Sequence, residues 1–208
     1  MLTVYMIVLL IVAITAWGIY AMISERTTRA ASDFQEAARS LHGTFSDKSS
    51  LGKGKNLLLT CTHKGRKFSF SVVTRHGPNG DGADFGVTVP ITNSSRKFLV
   101  ARKTFVTSLD KLSSTCKFSK AIEADLRSRT AYVVGENQED FAKQLRGDRR
   151  LGDAVYYLTI ESGLDGFGVS NGVLKLYSSF KARNSRPDRL RMLLQELSVI
   201  ADALDKPL

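Results

Sequence analysis

Charge is missing from the first 24 residues, Met1 to Ser24, whereas the chain beyond them is densely charged. Cysteine is scarce, with only Cys61 and Cys116 in 208 residues. Two cysteines exclude a disulfide scaffold in which bridges take the place of a core. In a reducing compartment both stay thiols, and in an oxidising one a single bridge is the most they can form. No long low-complexity segment occurs, and no catalytic or cofactor motif names a reaction.

The uncharged run has its own logic. Leu2 to Ile23 is rich in Leu, Ile, Val and Met. A helix rises about 1.5 Å per residue and a hydrocarbon core is about 30 Å thick, so the expectation is a transmembrane anchor over residues 1–24. Tyr5 near one end and Trp17 and Tyr20 near the other suit the headgroup level. Gly18 and Ala21 are too slight a pattern for a helix-pairing motif. A cleaved signal peptide is the alternative. No Lys or Arg precedes the run, the run exceeds a usual h-region, and no A-x-A site follows. Arg26, Arg29 and Arg39 come after the run and no basic residue before it. The positive-inside rule then puts the N-terminus outside and the remaining domain on the cytoplasmic side of an inner membrane, single-pass; a periplasmic domain is the alternative.

About 180 residues follow, enough for one ordinary domain or two small ones. The whole chain is 43% hydrophobic and 24% charged, which is globular, and its net charge is +10. That balance suits an anionic leaflet, a nucleic acid or an acidic protein.

Residues 25–43 read as a helical stalk. Ala30, Phe34, Ala37, Ala38 and Leu41 recur at helical spacing, and Gly43 is the expected stop. Residues 44–208 form an extrinsic domain. Asn56–His63 and Arg66–Thr74 read as strands joined at Lys64-Gly65, with Phe68, Phe70 and Val72 alternating against Lys67, Ser69 and Ser71. Further strands are expected at Phe85–Pro90, Lys97–Lys103, Thr130–Val134 and Tyr156–Glu161. Ser108–Asp125 reads as irregular or short-helical. Asn137 is the expected cap of a helix through Gly147, with Asp140 in its first turn, and Arg149–Val155 is a second short helix. Asn171-Gly172 marks a hairpin between Phe167–Ser170 and Val173–Phe180. Ser185–Leu204 closes the chain as a helix, capped by Asn184 or Ser185, with Pro187 in its first turn. Leu190, Leu193, Leu194, Leu197, Ile200, Ala201 and Leu204 make one wide apolar face for it. The fold class is therefore α+β: an N-terminal transmembrane helix and helical stalk, then an antiparallel sheet packed by helices, including a long C-terminal amphipathic helix.

From Tyr132 onward a series of landmarks recurs in order: Tyr132-Val133-Val134-Gly135; a helix with Phe141, Ala142 and Leu145; Arg150 and Leu151; Asn171-Gly172-Val173-Leu174-Lys175-Leu176; and a last helix ending Ile200-Ala201-Asp202-Ala203-Leu204. This order resembles a broad group of uncharacterised bacterial single-span membrane proteins with a C-terminal α+β domain. The resemblance implies a bacterial inner-membrane setting and the fold. It implies no catalytic residue and no cofactor.

Cys61-Thr62-His63 is the one Cys-His pair, and residues two apart on a strand share a face. Zinc needs three or four ligands, and a nucleophilic Cys needs a base oriented by a third group. His42, His76 and Cys116 show no ligand spacing, so a buried thiol beside a surface imidazole is the favoured reading and no metal is expected. Gly77-Pro78-Asn79-Gly80-Asp81-Gly82 leads toward a strand rather than a helix, which makes it a hairpin loop and not a phosphate cradle. Asp125, Glu139, Asp140, Glu161 and Asp165 form no acid-base pair. Basic residues gather in three places: Lys64, Arg66 and Lys67; Arg96, Lys97, Arg102 and Lys103; and Lys181, Arg183, Arg186, Arg189 and Arg191. Phe68, Phe70 and Phe98 alternate like core residues rather than as stacking platforms, so nucleic acid is not the expected partner.

These observations predict a non-enzymatic, membrane-anchored accessory or scaffold subunit of a larger membrane protein complex, respiratory and photosynthetic assemblies being the kind that recruits such subunits. Arg26, Arg29, Lys181, Arg183, Arg186 and Arg189 are its expected contacts with partner or anionic lipid headgroups. A small-ligand sensor is the second reading, and a hydrolase using Cys61 and His63 the third.

Overall fold

A computed structural model describes residues 2–48, 56–75, 82–102, 122–126 and 129–206. It is α+β. Strands β1 (Thr44–Asp47), β2 (Asn56–His63), β3 (Arg66–Arg75), β4 (Gly82–Pro90), β5 (Phe98–Arg102), β6 (Ile122–Leu126), β7 (Arg129–Gly135), β8 (Gly166–Ser170) and β9 (Val173–Ser179) form one sheet among the described residues. Its order is β1-β2-β3-β4-β9-β8-β5-β7-β6, and all eight pairings are antiparallel. The helices are α1 (Leu2–Ser40), α2 (Gln138–Gly147), α3 (Arg149–Tyr156) and α4 (Pro187–Asp205).

The register lines up one apolar side chain from every strand. Phe45, Leu59, Phe70, Val87, Leu176, Phe167, Val100, Val133 and Ile122 are successive cross-strand partners from one edge to the other. Because side chains alternate with period two, the flanking rows on that face follow. Cys61 pairs with Phe68, Leu57 with Val72, and Leu174 with Val169 and Val89. Helix α4 buries Leu190, Leu193, Leu194, Leu197, Ile200, Ala201 and Leu204 in the same core, as its spacing predicts. On the opposite face the partners are small or polar: Thr60, Ser69, Thr88, Lys175 and Gly168 form one row. That row continues through Leu99 to Val134, and Leu99 with Ala101 makes a second small buried cluster.

Both tight hairpins form where they are predicted. Lys64 and Gly65, and Asn171 and Gly172, all have positive φ, which matches the twist of the flanking strands. Gly135 also needs its missing side chain. Its φ is +149°, and a Cβ there would sit 2.3 Å from the Lys97 carbonyl oxygen.

Several expectations are corrected. Among the described residues no helix is long and apolar enough to cross a membrane, so a transmembrane helix over residues 1–24 is not shown. Within α1 the described exposed large apolar side chains run from Tyr5 to Trp17. Helix α1 is continuous through Ser40, and Ala30, Phe34, Ala37 and Ala38 are buried in the domain core. Its C-terminal left-handed residue is His42 (φ 50°), not Gly43, and the Gly43 N–H returns to the Ala38 carbonyl at 2.8 Å. Tyr157–Glu161 is not a strand but a π-helical turn continuing α3. The Ser162 N–H reaches the Tyr157 carbonyl five residues back at 2.7 Å, and Thr159 Oγ1 donates to the Val155 carbonyl at 2.7 Å. Hydroxyls that satisfy the turn locally, with Leu158 buried in the core, outweigh the strand preference of these residue types. Asn137 does not cap α2, because its Oδ1 accepts from the Lys97 N–H at 3.1 Å. Neither Asn184 nor Ser185 caps α4, whose N-cap position is Arg186 and whose first residue is Pro187. Ile122–Leu126 is a strand, and the rest of the segment read as irregular lies outside the described residues.

The end of α4 is clamped to the sheet. Arg66 Nη1 lies 2.6 Å from Asp205 Oδ2, and Arg66 Nη2 lies 3.0 Å from Asp202 Oδ1. Thr92 N–H donates to Asp205 Oδ1 at 2.6 Å. Burial pushes the Asp205 carboxyl up, but the bonds from Arg66 and Thr92 and the Arg66 charge together outweigh it and hold the carboxyl below the usual range. A carboxyl with a depressed folded-state pKa contributes stability above its unfolded pKa, near 3.9, and loses it as pH falls through the folded value. The melting temperature is therefore expected to fall on acidification below about pH 4, and Asp205→Asn to flatten that part of the profile while costing about 1–3 kcal/mol at neutral pH. Thermal melts across pH check this; equal acid sensitivity in the variant would refute the clamp.

Candidate functional site: the junction of the first and last helices

The sequence places Lys181, Arg183, Arg186, Arg189 and Arg191 around the start of α4. A 3₁₀ turn, Ala182–Asn184, leads into it. Ser185 is buried, and its Oγ donates to Asp33 Oδ2 of α1 at 2.6 Å, so this segment is pinned against α1. Lys181, Arg183, Arg186 and Arg191 remain exposed. No side chain caps α4, and Pro187 has no N–H, so the positive end of the helix dipole stands open beside these cations.

Arg189 has a different role. It is half-buried; its Nη1 donates to the Tyr157 hydroxyl, and its Nη2 to the Ser162 carbonyl at 2.6 Å. Its guanidinium carbon lies 5.1 Å from the Tyr157 ring centroid. The Ser162 carbonyl, at the end of the π turn, also receives Arg183 Nη2 at 3.5 Å. Burial raises the Tyr157 phenol pKa, against the pull of Arg189, so the phenol is neutral at physiological pH. In the turn before α4 the buried Asn184 has an Nδ2 without a hydrogen-bond partner, as does the Nε of Arg189. Arg189 thus ties α4 to the π turn, and the exposed cations around it face outward.

The other two basic clusters are partly consumed by structure. Arg66 is held by Asp202 and Asp205. Arg96 is fully buried, with Nη1 on Gln144 Oε1 at 3.0 Å and Nη2 on the Lys206 carbonyl at 2.9 Å. Burial lowers its pKa, partly offset by Asp140 and Asp205. Lys97 pairs with Glu136 at 3.5 Å. Sequence reasoning missed the burial of Arg96; the signal was its place immediately before a β-rich apolar run.

At the other end of α1, Tyr5 and Trp17 are 70% and 73% exposed, and every large apolar residue described between them is more than half exposed. Arg29 is exposed too. The side chains of Tyr20 and Arg26 lie outside the described residues, as do the segment 76–81, with His76 and most of the glycine-rich loop, and Cys116.

The Cys-His pair lies as its strand period requires, with Cys61 and His63 on the core side of β2. Cys61 is buried, and burial pushes its thiol up to about 11. His63 packs edge-on against Phe68, with centroids 6.4 Å apart. Among the described residues no group of three or more His, Cys, Asp or Glu is placed to hold a metal.

No protein-family model, curated protein or solved structure matches the chain.

A thiol with so high a pKa carries almost no thiolate at neutral pH, and the thiolate is the nucleophile. Cys61 in the native protein is expected to resist iodoacetamide at pH 7.5 and to be alkylated only after unfolding. Peptide mass spectrometry reads this; rapid native labelling of Cys61 would refute the buried assignment.

Proposed function

We propose that the chain is a non-enzymatic accessory protein that docks on a larger membrane protein complex through the apolar half of α1. The observation that carries this reading is the unsheltered apolar surface from Tyr5 to Trp17, with large side chains 53–73% exposed. A helix that is apolar on all sides is stable only when something surrounds it. Exposed apolar surface of this extent marks an interaction site. The other half of the same helix is locked in the domain core through Ala30, Phe34, Ala37 and Ala38. A continuous helix fixed at one end and apolar at the other links the partner to the domain, which is what a scaffold or brace requires. The exposed cations at Arg29 and Lys181–Arg191 add a second, electrostatic contact. The excess of basic over acidic residues, 30 to 20, supports a cytoplasmic position for the domain, where the leaflet is anionic.

Two experiments test this. Leu9 and Leu10 are exposed, so Leu9→Gln/Leu10→Gln leaves the domain's melting temperature unchanged. Burying a leucine is worth about 1.5–3 kcal/mol, so the double variant is expected to lose at least about tenfold of the stoichiometric partner recovered after mild detergent extraction. Unchanged recovery would end the docking reading. Protease added to intact spheroplasts should leave the domain uncut; digestion of the domain would move it to the other side.

A further inference from the structure

The foot of the apolar arm carries a collar of cations drawn from two distant parts of the chain. Ala30 is fully buried, and Arg29 immediately before it is exposed, so α1 leaves the domain core at this point. Asp33, one turn further in, accepts the hydrogen bond from Ser185. That bond brings the segment Lys181–Arg186 against α1, although it is about 150 residues away in sequence. Arg29 and Asp33 are four apart, so they share a helix face, with Arg29 on the arm side of the contact. Arg29 on α1 and Lys181, Arg183 and Arg186 on the segment that Ser185 pins to α1 are thus exposed cations on the two elements that meet where the arm leaves the core. The uncapped start of α4 adds its positive dipole end. Asp33 is engaged by Ser185; the exposed carboxylates near the collar are Glu25, one turn before Arg29, Glu36 further along α1, and Asp188 in the first turn of α4, fewer than the four cations they face.

The partner must match two layers. Beyond Glu25 and Arg26 no side chain from Ser24 back to Met1 is charged. Ser24 and Arg29 are about 7.5 Å apart along the helix, within the screening length of about 8–10 Å at physiological salt. An apolar layer bordered at that distance by negative charge is the cross-section of an anionic lipid leaflet. Arg29 sits on α1 and Lys181, Arg183 and Arg186 on the turn before α4, all four exposed, and they share no planar fork for one small anion. That arrangement fits a field of phosphates better than a single ligand.

We propose that Arg29, Lys181, Arg183 and Arg186 form a docking surface for the headgroup phosphates of an anionic lipid surface. It rests on the reading of the protein as docked at a membrane assembly, and adds the lipid chemistry that the domain recognises there. Each basic residue at such a surface is worth about fivefold in partitioning, the equivalent of about 1 kcal/mol.

The test is partitioning of the full-length protein between buffer and vesicles of phosphatidylcholine, alone or mixed with phosphatidylglycerol. At low salt the anionic vesicles are expected to bind more tightly, and the preference is expected to fade at about 1 M salt, where screening shrinks to about 3 Å. Arg183→Ala/Arg186→Ala should reduce the anionic preference about 25-fold with the melting temperature unchanged. Arg183→Lys/Arg186→Lys should keep it, because a charged surface reads charge rather than guanidinium geometry. Equal partitioning of the wild type onto the two vesicle types, or an alanine variant that keeps the preference, would overturn the collar. Loss of the preference in the lysine variant would overturn the diffuse-surface account in favour of a guanidinium-specific site. The vesicles hold no protein partner, so failure here leaves partner recovery, read separately with Leu9→Gln/Leu10→Gln, as the measure of the docking reading.

Discussion

The structure depends on burial of one continuous apolar face across the nine strands of the described residues. Each strand contributes an inward residue to the row from Phe45 to Ile122, and no strand alone buries enough surface to offset its ordering entropy. The row closes only when α4, α2, α3 and the second half of α1 cover it. Helix α4 therefore has to sit in one place. The Arg66–Asp202–Asp205 clamp and the Thr92 bonds fix its far end, and Arg189 fixes its near end to the π turn.

The same requirement makes α1 an unusual element. From Ala30 to Ala38 it belongs to the core, yet from Tyr5 to Trp17 it is a solvent-exposed apolar rod. Nothing within the described chain shelters that rod. Its continuity with the core helix and its exposure together motivate the docking reading, and the domain core provides the fixed end. The cations that surround the exit of α1 come from Arg29 and from the turn before α4, and the Ser185–Asp33 bond joins the two.

Not every basic residue is available to a partner. Arg66 and Arg96 look in sequence like the exposed cations of a surface patch, but one neutralises the acidic last turn of α4 and the other is buried against Gln144 and the Lys206 carbonyl. The positive balance of the chain is thus divided between internal fastening and an outward surface.

Local chemistry was enough for part of this. The Asn171-Gly172 and Lys64-Gly65 turns, the alternating strands around Phe68 and Phe85 and the wide face of α4 follow from φ preferences and periodicity, which act over a few residues. The length and apolar character of α1 were legible too, but its second half reads as a stalk because its stripe is narrow; only packing against β1, β2 and α4 shows it to be core. Tyr156–Glu161 carries a strand pattern, but Tyr156 ends α3, and local hydroxyl bonds with burial of Leu158 make Tyr157–Glu161 a π turn. Sequence showed that Lys181–Arg191 was basic and that Arg29 was basic. It did not show that the two segments pack together, because the Ser185–Asp33 bond spans about 150 residues and periodicity carries no information over that distance.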